Sequence, residues 1–204
     1  MRLLVVVFAA LFLAQCAGAE DRRFTVGQSP KALVVIGVAE TTDNRDPHYT
    51  MLWRRLNAGG TFTGYDGSRI IEPRSNANDS LRVHGIPGEF IAAEVEPGIY
   101  ALDSVFAVLR EDNLDYIAQG VVAGPERPAF EVLAGEAIYL GIWELDVDGV
   151  SAVTRPWRLS ASDLHAVARA GEPIVGELQA RETHMRAVAC TPRRLSTMSL
   201  RLVC

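Results

Sequence analysis

Residues 137–147 read AIYLGIWELDV. Ile138, Leu140 and Ile142 alternate onto one face of a strand, and Tyr139, Trp143, Leu145 and Val147 onto the other. A strand with one wet face alternates apolar with polar. One that is apolar on both faces has to be covered on both. The stretch therefore predicts a central strand, covered twice at least over residues 138–143. Asp148-Gly149 is a hairpin turn signal, and residues 150–159 read as the returning partner. Pro156 removes a backbone donor and demotes the second half of that return to a sheet edge.

Outward from this strand the chain breaks into short apolar runs. Residues 32–38 (ALVVIGV) form a continuous β-branched run of strand length. Residues 49–56 (YTMLWRRL) predict a strand with Leu52, Arg54 and Leu56 sharing a face. Gly59-Gly60 offers a turn into a further strand at 61–65, and 68–71 predicts another. Residues 73–80 (PRSNANDS) are a polar loop. Residues 90–95, 99–109, 116–122, 130–133 and 198–203 complete the expected strands, with Pro97-Gly98 making the sharpest turn. One helix stands out near residues 160–170: Ser160 to Asp163 supply a cap, Leu164, Val167 and Ala168 share a face, and Gly171 ends it. Many short strands with turn signals and a single short helix predict an all-β single domain. A two-sheet sandwich is expected, and a small open barrel is the alternative.

The first 19 residues say where the protein works. Arg2 precedes an apolar run at 3–13 and small residues ending in Ala17-Gly18-Ala19. That is the three-part pattern of a secretory signal peptide, and the run is shorter than the ~20 residues that span a bilayer. Cleavage after Ala19 would start the mature chain at Glu20. Leu13-Ala14-Gln15-Cys16 also resembles a bacterial lipobox, in which Cys16 is acylated and leads the mature chain. Gln15 departs from the Gly, Ala or Ser usual before that cysteine. Both readings export the protein: to a bacterial periplasm, or to the outer membrane by a lipid anchor at Cys16. Residues 20–31 then read as a polar lead-in or tether, and 32–204 as the folded domain.

About 185 residues remain after the leader, enough for one well-cored domain. Net charge is −5, Lys31 is the only lysine, and acids and bases are interspersed. No basic stripe for nucleic acid and no polybasic membrane patch is present. Membrane attachment would come only through Cys16. Cys190 and Cys204 form an even pair for an oxidising compartment. Their expected disulfide closes a C-terminal segment and contributes about 3 kcal/mol on a chain-entropy argument.

Two segments carry a resemblance. Pro97-Gly98-Ile99-Tyr100-Ala101-Leu102 is similar to a P-G-x-Y-x-L strand start. Phe130 to Gly141 (FEVLAGEAIYLG) is similar to an F-x-V-x-A-G-E-x-x-Y-x-G strand pair. Together they resemble exported bacterial domains of unknown function with an immunoglobulin-like or transthyretin-like β-sandwich, often carried by small lipoproteins. The resemblance covers about 50 residues, 97–147, and leaves the N-terminal third and the disulfide tail outside. It implies a fold, no reaction and no catalytic residue.

The search for chemistry returns little. None of His48, His84, His165 and His184 lies two to four residues from another or from either mature cysteine, so no local metal motif exists. Ser162-Asp163-His165 holds triad residue types as neighbours on one helix, where a helix cap is the simpler reading. Asp112 with Asp115, and Asp146 with Asp148, read as solvated turns rather than calcium loops. Asn78-Asp79-Ser80 is formally a glycosylation sequon in a loop. No catalytic, cofactor-binding or metal-ligating residue is assigned, and no cofactor is expected. The best binding hint is Trp157 between Arg155-Pro156 and Arg158, a ring in basic edge context that suits an envelope protein or glycan. The expected function is a non-catalytic cell-envelope module that binds another envelope component. The alternatives are a small-ligand carrier, which needs an apolar cavity, and a glycan or peptide hydrolase, which needs converging acids. Mass spectrometry of the mature N-terminus separates the two leader readings: a chain starting at Glu20 is expected from cleavage after Ala19, and an acylated Cys16 peptide from the lipobox.

Overall fold

The computed structural model describes residues 23–39, 48–75, 80–111, 114–121, 125–148, 151–158, 160–171, 174–195 and 202–204. Side chains are described for these residues except at 48, 107–111, 114–121, 146–148 and 151–158. The leader, Cys16, Asn78 and Asp112 fall outside the described residues. So do the side chains of His48, Asp115, Asp146, Asp148, Arg155, Trp157 and Arg158.

The chain is an all-β sandwich of two six-stranded sheets. The first sheet runs β10 (Ser151–Arg158), β9 (Ala137–Asp148), β1 (Ala32–Val38), β5 (Ile86–Val95), β4 (Leu81–Val83), with β11 (Gln179–Ala180) also on β9. The second runs β12 (His184–Ala187), β8 (Glu126–Val132), β6 (Gly98–Glu111), β2 (His48–Arg55), β3 (Ile70–Ile71), with β7 (Leu114–Val121) also on β6. A small ribbon pairs β13 (Arg193–Arg194) with β14 (Leu202–Val203). Pairing is antiparallel except where β1 and β11 lie parallel to β9. The helix α1 (Ala161–Ala170) is capped by Ser160, whose hydroxyl accepts from Asp163 N at 3.1 Å.

The expected strand at 61–65 does not form. Phe62 makes one bridge to Leu56, and Asn57 ties the loop through its own side chain to Thr61. Gly67–Arg69 is a 3-10 turn capped by Asp66, which shortens the expected strand at 68–71 to Ile70–Ile71. Residues 24–26, expected within a polar lead-in or tether, pack on the sandwich. Phe24 is buried, Thr25 bridges Val175, and Val26 joins the same apolar cluster.

Between the sheets lies the main core. Trp53 of β2 meets Trp143 of β9 edge to face at 5.1 Å, and also meets Phe130 at 5.5 Å. Tyr100 stacks on Phe130 at 5.5 Å, and its hydroxyl donates to Glu96 O at 2.7 Å. A tyrosine that closes the turn before its own strand is the corner used in immunoglobulin-type sandwiches. Burial pushes the Tyr100 phenol above its ordinary value, so it holds this bond as a neutral donor.

Both sheets are covered on their outer faces as well. β1 is buried along its whole length. Val34 and Ile36 face the other sheet, while Leu33 and Val35 face a second cluster with Phe24, Tyr139, Val167 and Leu178. β9 behaves likewise, but with a phase change. Ile138, Leu140, Trp143 and Leu145 point into the sandwich, and Tyr139 and Ile142 point outward. The straight alternation read from sequence, with Leu140 and Ile142 together, is therefore corrected at Gly141. That residue has φ +82° and adds one position to β9 against β1 between the Val35–Tyr139 and Gly37–Ile142 pairs.

Gly37 shows how tightly the outer layer is fitted. A Cβ there would lie 2.6 Å from Phe90 Cε1. Gly37→Ala is expected to cost about 1–3 kcal/mol by overpacking. Adding Phe90→Leu should recover part of that loss, giving a coupling of about 1 kcal/mol in a double-mutant cycle read by urea unfolding. Additive costs would separate the two side chains.

Candidate functional site

The outer face of the first sheet carries a cleft of about 420 Å³. Its floor is Leu33 and Val35 of β1 with Phe90 and Ala92 of β5, and its walls come from Leu81, the helix, Ile174 and Leu178. The cleft exists because small side chains oppose each other: Ala92 on the floor, and Ala168, Ala170 and Gly171 on the wall. Larger residues at these positions would fill it. Gly171 N–H bonds back to Val167 O at 3.0 Å and ends the helix at the rim. Among the described residues, Ser80 supplies the single hydroxyl of the lining, and no titratable side chain lines the space. Ser80 itself donates to Glu89, a buried carboxylate also paired with Arg82. A cleft of this size, whose described lining side chains are apolar apart from Ser80, can hold an aliphatic chain.

The outer face of the second sheet is covered differently. Leu52, Leu56, Ala101, Phe106 and Ala129 turn outward beneath Phe62, Val188, Leu195 and Val203. Among them sit three charged side chains shielded from water: Arg54, Asp103 and Arg127 are 1 %, 0 % and 1 % exposed. Asp103 is the extra residue of a bulge in β6 between the Leu52–Ser104 and Trp53–Leu102 pairs. Its Oδ2 accepts from Arg54 Nη1 at 2.6 Å, and its Oδ1 from Cys204 N at 2.8 Å. Arg54 also donates to Cys204 O at 3.0 Å and to Thr63 O. Arg127 donates to Leu102 O at 3.1 Å, Asp103 O at 2.9 Å and Cys204 Sγ at 3.1 Å. Both guanidinium groups lie over the Phe62 ring, at 5.1 and 5.5 Å. Burial pulls the Arg127 pKa down from its ordinary value, and the charge on Asp103 opposes that shift.

Cys190 and Cys204 are joined as expected, with Cα atoms 4.9 Å apart. Sequence reading missed the Arg54–Asp103–Arg127 cluster. The available signal was weak: Asp103 is the one charge in the apolar run 99–109, but Arg54 stands beside Arg55 and Arg127 beside Glu126. It missed the cleft too, since its small residues come from separate segments. The edge residues Arg155, Trp157 and Arg158 are placed by backbone only. β10 is an end strand of its sheet, and Trp157 is the bulged position between the Pro156–Trp143 and Arg158–Ile142 pairs. Trp53 and Trp143 are core residues.

His84, His165 and His184 are exposed on three separate segments. Among the described residues no group of three His, Cys, Asp or Glu is placed to hold a metal ion. Asp163 and Ser160 serve the helix cap. A half-buried group of Arg55, Arg69 and Ser68 surrounds Glu96, whose pKa is held down chiefly by the hydrogen bond from Arg69. That carboxylate is a poor general acid in this setting.

Breaking the buried cluster should be costly. Asp103→Asn keeps the shape but leaves two buried cations without their carboxylate, and a loss of about 3–5 kcal/mol is expected. Urea unfolding with the disulfide intact measures it. No family model, no curated protein and no solved structure matches the chain.

Proposed function

We propose that the protein is a non-catalytic binding module of the bacterial cell envelope whose outer cleft takes an uncharged aliphatic chain. The observation that carries this reading is the cleft itself: about 420 Å³, with described lining side chains that are apolar apart from Ser80. That volume lies within the ~300–1,000 Å³ of small-ligand sites. Affinity would come from apolar burial against Leu33, Val35 and Phe90. A charged head group would stay outside, since no described lining side chain offers a countercharge. The export pattern of residues 1–19 and the resemblance of 97–147 to exported sandwich domains support the envelope setting.

The reading is tested with N-phenylnaphthylamine, an uncharged apolar fluorophore, and dodecanol as competitor. Saturable micromolar binding and displacement by dodecanol are expected. Ala92→Trp, at an exposed position on the cleft floor, should weaken binding about tenfold or more without changing the thermal midpoint greatly. Binding that does not saturate, or that Ala92→Trp leaves unchanged, would reject the cleft as the site.

A further inference from the structure

The two ends of the disulfide are held in unlike ways. Residue 204 is fixed by three contacts that do not pass through the S–S bond. Its N–H is on Asp103, its carbonyl is on Arg54, and its sulfur accepts from Arg127 at 3.1 Å. Cys190 sits in an open stretch, half-buried itself and flanked by exposed Ala189 and Thr191. The nearest firm anchor before it is Val188, buried and donating to Pro125 O at 2.7 Å.

The charges around the Cys204 sulfur are also unequal. Among the described side chains, β2 brings Arg54, β8 brings Arg127 and β6 brings Asp103. Both carboxylate oxygens of Asp103 are occupied, by Arg54 and by the Cys204 N–H. The neighbouring ribbon adds exposed Arg193 and Arg194. Arg127 is the charged side chain in direct contact with the sulfur, and a cation beside a sulfur favours its thiolate. In thiol–disulfide exchange the sulfur that departs is the one better able to carry negative charge.

We propose that Cys190–Cys204 is a thiol-exchange site at which an external thiolate attacks Cys190 and Cys204 departs as a thiolate beside Arg127. The electron pair of the incoming thiolate forms the new S–S bond to Cys190. The pair of the old bond goes to the Cys204 sulfur, so the first step is exchange without net oxidation. A second thiol of the same donor then attacks the mixed disulfide, is itself oxidised to a disulfide, and leaves Cys190 as a thiol. The donor is a dithiol or an excess of monothiol. Because its backbone stays clamped by Asp103 and Arg54, the Cys204 thiolate remains in place and can attack the mixed disulfide to close the bond again. Exchange therefore frees the Cys190 arm and leaves the Cys204 end docked.

The folded chain is treated with excess glutathione, acid-quenched, alkylated and mapped by mass spectrometry. Glutathione on Cys190 with alkylated Cys204 is expected in large excess over the reverse. An equal split, or glutathione mainly on Cys204, would overturn the proposal. On the reduced chain, the pH profile of iodoacetamide alkylation should place Cys204 at least about one unit below the ordinary ~8.5 and below Cys190. Arg127→Gln should raise the Cys204 value towards the ordinary one. If that variant does not fold, the comparison of the two cysteines in the unsubstituted chain decides. A Cys204 value at or above that of Cys190 rejects the assignment.

Discussion

β1 carries an apolar side chain at six of its seven positions and glycine at the other. No orientation of such a strand keeps one face wet without exposing Leu33 and Val35 or Ala32, Val34 and Ile36. Burying a branched aliphatic side chain is worth about 1.5–3 kcal/mol, so the strand must be covered twice. The second sheet supplies one cover, through Trp53 and its neighbours. The other is assembled from pieces far apart in sequence: residues 24–26, the helix and residues 174–178. That patchwork explains the cleft. A sheet can match a sheet along its length, but a ten-residue helix with alanine on its inner side cannot fill the whole outer face.

Two bulges decide which side chains meet. At Gly141 the phase of β9 shifts, so that Trp143 turns inward to reach Trp53 and Ile142 turns outward. At Asp103 the phase of β6 shifts in the same way: Leu102 and Val105, three apart, both face the sandwich. Without that extra residue the strand could not place Tyr100 and Leu102 in the core and still present Phe106 to the outer cluster. The bulge also gives the carboxylate a position from which it reaches both Arg54 and the backbone of residue 204.

Much of this was legible in the chain. The central strand at 137–147, its hairpin return, the capped helix and the cysteine pair follow from local chemistry that acts within a few residues. Leu52, Arg54 and Leu56 do share a face, and it is the outer one. The failures share a cause as well. Period-two reading carries no information about an inserted residue, so the faces of β9 were assigned correctly up to Leu140 and inverted beyond it. A glycine inside a continuous apolar run was the visible warning. The polar cluster was hidden for another reason. An isolated Arg or Asp in a strand normally marks a wet face, and only the fold shows that loop 57–63 and the C-terminal segment cover these three. The cleft is an absence of volume between segments more than seventy residues apart, which no local pattern encodes.

The cover on the second sheet is polar where the first is apolar, and this changes what holds it. Apolar burial and neutral backbone hydrogen bonds, such as Val26 N–H to Val175 O at 2.9 Å, hold residues 24–26 and the pieces around them. The C-terminal cover shields two guanidinium groups and one carboxylate. Lifting residue 204 away would strip Asp103 of one of its two partners and Arg127 of its sulfur contact. Buried charges tolerate such losses poorly, since a charge left unpaired away from water costs several kcal/mol. The cover is therefore held at residue 204 by hydrogen bonds that depend on charge, and at Cys190 by the disulfide together with the short strand β12. Cutting the S–S bond removes a tether only from the second end. The buried ion cluster thus makes the two halves of one covalent link unequal, and gives the C-terminal segment a fixed end and a free one.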